Sequence, residues 1–193
     1  AGSREMLDSE VAEFGGEMLY INKSDDMPVW AMEYMRDEGL RKYWDNHTQP
    51  FHKHGVGPLY KGGDASAYNQ NMDEYARNVV KRWYEYYRER PGTGNRVSSG
   101  GVNIIFSETN THHRGTQNYR LSGEVDAMRI PKDGFYAHQV MWNGWVDVEE
   151  HSAHIIGHWN YYPGLEKDVT VVSSGEKVEL KLNGRSLGFA TKE

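Results

Sequence analysis

The feature that most constrains this chain is a five-residue run, Val29-Trp30-Ala31-Met32-Glu33, which is apolar until it ends in a carboxylate. Pro28 stands before it and the charged stretch Tyr34-Met35-Arg36-Asp37-Glu38 follows. A short continuous apolar run bounded in this way reads as a strand buried on both faces, as in a parallel sheet. Parallel strands cannot be joined by a tight turn and need crossover connections, usually helical. One such strand therefore implies an alternation of strands and helices. In folds of that kind the chemistry collects at the carboxyl ends of the strands, which is where Glu33 stands. The plainer reading is an ordinary strand that ends in a solvated Glu.

The neighbouring segments carry the alternation. Leu7, Val11, Phe14 and Met18 recur at helical spacing and predict a helix, which Gly15-Gly16 weakens in its second half. Residues 35–70 read as a long irregular loop containing Pro50, Pro58, Gly55, Gly57 and the histidines His47, His52 and His54. Loops of that length are uncommon without a function. Asn71 with Glu74 three residues on resembles a capping box. From there Met72, Tyr75, Ala76, Val79, Val80, Trp83 and Tyr87 form an apolar stripe, stopped by Pro91-Gly92. Val102 to Phe106 reads as a second buried strand, opening into the polar run from Ser107 to Arg114. Pro131 suits the first turn of a further helix running to Met141.

After that helix the pattern becomes β-rich. Strands are expected at His154–Trp159, Val169–Ser173, Val178–Leu182 and Arg185–Ala190. Val178, Leu180 and Leu182 alternate with Glu179 and Lys181, and Asn183-Gly184 supplies a two-residue hairpin turn. The composition shift places a boundary near residue 150, dividing the chain into an α/β part (1–150) and a β-rich part (151–193).

Bulk properties narrow the function classes. Of 193 residues, 12% are aromatic, too many for a disordered chain, although mean hydropathy is low at −0.82. A formal net charge of −6 argues against a phosphate-backbone partner, so no nucleic acid is expected. No apolar run approaches membrane-spanning length, so no membrane partner is expected either. The absence of cysteine excludes disulfides and thiolate metal sites. The histidine spacing on the Pro/Gly loop matches no defined zinc pattern, and adjacent His112-His113 would point opposite ways in an extended segment. No metal and no cofactor are expected.

Four segments together resemble glycoside hydrolase family 2, the β-galactosidase and β-glucuronidase group. Pro28-Val29-Trp30-Ala31-Met32-Glu33-Tyr34 is similar to the seventh strand of that family's catalytic barrel, and Gly100-Gly101-Val102-Asn103-Ile104-Ile105-Phe106 to the eighth. Ser122-Gly123-Glu124-Val125-Asp126-Ala127 with Pro131-Lys132-Asp133-Gly134-Phe135-Tyr136 looks like the last barrel turn and helix. His158-Trp159-Asn160 with the run from Val178 to Gly188 is similar to the immunoglobulin-like module after the barrel. The resemblance implies the C-terminal portion of a (β/α)8 TIM barrel, about strands 7 and 8 with their helices, followed by the start of an all-β immunoglobulin-like sandwich.

The resemblance also implies a function. Glu33 would be the nucleophile of a retaining exo-β-glycosidase, forming a glycosyl-Glu intermediate. The acid/base Glu and the first six barrel units have no counterpart here, so the partner would be the remainder of the same polypeptide, and the 193-residue piece alone is expected to be inactive. Tyr34, Glu108, Asn110 and His112 are the candidate substrate-binding residues. The family's usual Trp on the eighth strand is missing, with Ile104 or Phe106 nearby, so the polar residues after that strand read as a local specialisation. A terminal β-galactoside is the first expectation for substrate. A β-glucuronide is the second, with Arg114 and Asn110 offering part of a carboxylate clamp. The family setting is compatible with bacterial polysaccharide degradation, a periplasmic or secreted location and a homo-oligomer. A reading from another class makes the chain a non-catalytic carbohydrate-binding or structural module, with Glu33 structural. Trp142, Trp145 and Trp159 are expected to pack near the boundary, with a sugar contact open to one of them.

Overall fold

The computed structural model describes residues 9, 11, 14–18, 28–33, 38–39, 47, 69–70, 72–88, 98–103, 105–109 and 121–191. Among these, β1 (Gly15–Met18), β2 (Val29–Glu33) and β5 (Ser98–Gly101) form a parallel sheet in the order β1-β2-β5. β2 is the central strand, with Glu33 level with Met18 of β1, and Ala31 level with Gly101 of β5. A pair of two-residue strands, β3 (Glu38–Gly39) and β4 (Asn69–Gln70), lies between β2 and the helix α1 (Met72–Arg88). Helix α2 (Asp133–Val146) is the next element after β5 among the described residues. Two antiparallel pairs complete the described chain: β6 (Ala153–Ile155) with β7 (Val171–Ser173), and β8 (Lys177–Leu182) with β9 (Arg185–Thr191).

The run expected to be a buried parallel strand is β2 itself, although its Trp30 is exposed, and three residues of the apolar stripe expected on α1 are buried. Tyr75, Ala76 and Val79 are fully buried. They meet Ala137 and Val140 of α2, Ile156 just after β6, and Val172 of β7 in one cluster. The expected boundary near residue 150 falls between α2 and β6, and this core runs across it.

Three expectations require correction. The helix expected around residues 7–18 gives way, over Gly15–Met18, to a strand that pairs with β2. Gly15-Gly16 is a poor helical segment, and parallel pairing supplies the hydrogen bonds that local propensity does not. The second strand lies at Ser98–Gly101, upstream of the apolar run Val102–Phe106. Val102 and Phe106 are exposed, and residues 105–108 instead bond to the segment 122–125. Helix α2 starts two residues beyond Pro131, which is held in an antiparallel bridge to Val125. It also runs on to Val146, past Met141.

Candidate active site

Both neighbours of β2 run parallel to it, so its carboxyl end opens at the middle of one sheet edge. Glu33 is the last residue of that strand. Tyr34, Asn110, His112 and Arg114 lie outside the described residues, as do His52 and His54.

The connection leaving β5 is described at its two ends and is tightly bonded there. Glu108 N donates to Val125 O at 3.0 Å and Val125 N to Phe106 O at 2.9 Å. Glu124 N donates to Ile105 O at 3.1 Å, and Ile105 N to Ser122 O at 3.3 Å. Gly123 permits this approach, because a Cβ there would sit 2.4 Å from Glu108 N and 2.5 Å from Val125 O. The buried Tyr75 hydroxyl donates to Ser122 O at 2.8 Å, which ties the connection to α1. Asp126 closes the following turn by accepting from Met128 N and Ile130 N at 2.7 and 3.0 Å.

Glu108, expected to meet a sugar hydroxyl at a cleft rim, is instead buried and paired. Its Oε1 accepts from Lys132 Nζ at 2.8 Å, and the two side chains are 3% and 0% exposed. The same ammonium donates to Leu121 O at 2.9 Å and lies 5.0 Å from the Tyr75 ring centre. Lys132 therefore joins Glu108 and Leu121, which stand on either side of residues 109–120. Nearby, Asn103 donates its amide to Glu124 Oε1. Glu124 Oε2 lies 2.7 Å from His138 Nδ1, a close contact without hydrogen-bond alignment.

Asp133, which follows Lys132, is 1% exposed and bonds to a different part of the chain. It accepts from Gly157 N at 2.8 Å and meets His154 Nε2 at 2.9 Å. A second polar tie joins α1 to the chain after β6. Lys167 Nζ donates to Asp73 Oδ2 and to Tyr161 Oη, both at 2.6 Å. Burial opposes the charge on Lys167, but these two bonds outweigh it and raise its pKa. Sequence reasoning did not single out Lys132, Asp133, Asp73 or Lys167 as buried. Charged residues at helix starts ordinarily face water, and no local pattern distinguishes these.

Among the described residues, no group of three or more His, Asp or Glu side chains is placed to hold a metal ion. His47 meets Tyr161 edge-on, with ring centres 6.3 Å apart. Among the same residues, no helix is long and apolar enough to cross a membrane. Trp142, Trp145 and Trp159, expected to pack near the boundary, are all exposed.

No protein-family model matches the chain. It is, however, 33% identical over 182 residues to a β-glucuronidase of Formosa agariphila, an alignment that takes in 93% of this chain and 16% of that protein. The solved structure of a β-glucuronidase from glycoside hydrolase family 2 matches 94% of the chain and 18% of its own, with a TM-score of 0.68 and 28% identity. The chain resembles a segment of the family 2 enzymes. A putative β-glucuronidase of the same Formosa species is 26% identical over 72% of this chain, which spans 13% of it. The Bacteroides uniformis β-glucuronidase 2, solved with a covalently bound cyclophellitol-6-carboxylate aziridine, shares the fold at a TM-score of 0.53 and 20% identity. The chain thus spans about a sixth or less of the Formosa proteins it matches.

Proposed function

We propose that this chain is the portion of a family 2 retaining exo-β-glycosidase that carries the nucleophile, and that the enzyme removes terminal β-linked glucuronic acid. The observation that carries the reading is the 33% identity to a β-glucuronidase across 93% of the chain. It favours the glucuronide, the second sequence-based expectation, over the β-galactoside placed first. The parallel sheet would be the last part of a (β/α)8 barrel, and β6–β9 the beginning of the sandwich after it.

In this reading Glu33 attacks the anomeric carbon from the carboxyl edge of the sheet. A carboxylic acid elsewhere in the longer polypeptide protonates the departing glycosidic oxygen. Water, deprotonated by that same residue, then releases the sugar with retained configuration. The two carboxyl groups must stand about 5 Å apart for this double displacement. Tyr34, Asn110 and His112 remain the proposed sugar contacts, with Arg114 and Asn110 facing the glucuronate carboxylate. Glu108 has a different part here. Paired to Lys132, it holds the connection in place.

The test is Glu33→Gln in the complete polypeptide, assayed on aryl β-glucuronide and aryl β-galactoside. Loss of a covalent nucleophile should reduce kcat by at least about 10³-fold while leaving glucuronate binding intact. Undiminished turnover would remove Glu33 from the mechanism. Faster turnover of the galactoside by the parent enzyme would overturn the choice of sugar.

A further inference from the structure

The segment between β6 and β7, residues 156–170, carries chemistry that the mechanism above does not use. It is held at many points. Gly157, at φ +99°, is fixed by its hydrogen bond to Asp133, and Lys167 is fixed by Asp73 and Tyr161. The Tyr161 ring stacks on His158 with centres 4.2 Å apart, and Asn160 N donates to His158 Nδ1 at 3.0 Å. Leu165 N donates to Tyr162 O at 3.2 Å, closing a turn in which Gly164 adopts φ +83°. A segment fixed so thoroughly has little freedom left to fold its large side chains inward. Trp159 and Tyr162 accordingly stand 64% and 61% exposed. They line a cleft of about 230 Å³ together with Leu165 and Asp168.

The position of the cleft matters as much as its lining. Asp73 is the second residue of α1, and Asp133 is the first of α2. Helices that follow parallel strands return antiparallel to them, so their N-termini lie at the carboxyl edge of the sheet. That is the edge where Glu33 ends β2. The segment 156–170 is bonded to both N-termini, and its Tyr161 touches His47 from the stretch after β2. A sugar ring presents a face of C–H bonds that packs on an aromatic ring, while its hydroxyls seek polar neighbours such as the Asp168 carboxylate.

The geometry points to an accessory carbohydrate subsite in which Trp159 and Tyr162 receive a pyranose ring of a β-linked glycan, beside the ring that reacts at Glu33. This inference rests on the glycosidase reading of that sheet edge. It goes beyond that reading by giving the β6–β7 segment a part in binding the rest of the glycan.

Hydroxyl-radical footprinting tests it on the complete polypeptide carrying Glu33→Gln, with saturated hyaluronan tetrasaccharide and cellotetraose as probes. Trp159 and Tyr162 should oxidise readily alone and be protected several-fold by at least one probe. Phe189 on β9, equally exposed, should be unaffected. Trp159→Ala should then weaken the protecting probe about tenfold, the equivalent of one stacking contact. Protection by neither probe overturns the subsite. So does a lack of oxidation without probe, because the remainder of the polypeptide would then cover the cleft. Aryl β-glucuronide turnover by the unsubstituted polypeptide is a separate readout. Turnover without protection removes the subsite alone, and no turnover removes the glycosidase reading whatever the footprint.

Discussion

Lys132→Met offers a sharp test of how the connection after β5 is held. At 2.8 Å, two unit charges at an effective dielectric near 20 attract by roughly 6 kcal/mol. Most of that offsets the cost of taking both groups out of water, so the pair adds little over an apolar replacement. Removing the ammonium alone is different. It takes from the buried Glu108 carboxylate the ammonium at 2.8 Å, and from Leu121 O the donor at 2.9 Å. Breaking a buried pair in this way costs about 3–5 kcal/mol. Amide hydrogen exchange on the complete polypeptide is the suitable assay, because it reads a local loss at the amides concerned. The amides of Glu108, Glu124 and Val125 bond across the connection, and their exchange should accelerate by roughly 100-fold to several thousand-fold. Adding Glu108→Leu should recover most of the protection, because the buried charge is then gone. Unchanged exchange in Lys132→Met would refute the reasoning. A double variant no better protected than the single one would show that loss of the ion pair, and not the charge left on Glu108, lowers the stability.

Two further predictions concern the same scaffold. Gly123→Ala places a methyl group against two backbone atoms that cannot swing aside, so about 1–3 kcal/mol should be lost, read as a lower melting temperature. An unchanged melting temperature would mean that the connection shifts to admit it. Because the folded-state pKa of Lys167 is raised, its stabilising contribution is complete below the ordinary lysine value of 10.5 and fades as pH climbs through the higher folded value. The gap in melting temperature between the parent and Lys167→Met should therefore narrow only above that pH, and a gap that stays constant there would count against the Asp73–Lys167–Tyr161 tie.

The legible parts of this fold are those where sequence pattern and tertiary environment agree. β2 matches its apolar run residue for residue, because a strand paired on both sides is selected for continuous apolarity. The β8–β9 turn follows from Asn183-Gly184, whose φ angles of +51° and +82° suit a hairpin that few other residue pairs allow. β1 was hidden because Gly-Gly-Glu-Met has no strand signature of its own and is extended by its neighbour. The apolar run Val102–Phe106 misled because the chain leaves the sheet at Gly101 and spends those residues bonding to 122–125. At the candidate site, the backbone place of Glu33 at a strand's carboxyl end was readable from the run itself. The burial of Glu108 was not, because its partner stands 24 residues away and helix-start lysines ordinarily face solvent.

The separate partners of the adjacent Lys132 and Asp133 bear on how such proteins are cut and recombined. A break at residue 150 would strip Asp133 of His154 and Gly157, separate Asp73 from Lys167, and take Ile156 and Val172 out from beneath the two helices. Two carboxylates would lose their partners, and the apolar face of the two helices would be left open to water. A break after β7 keeps all of these contacts and parts only the β8–β9 hairpin, whose strands pack chiefly on each other. A graft that transplants the β-rich end onto another scaffold, or a chimera that exchanges it, should therefore carry β6 and β7 with the helices and place its splice in the turn at Ser174–Glu176.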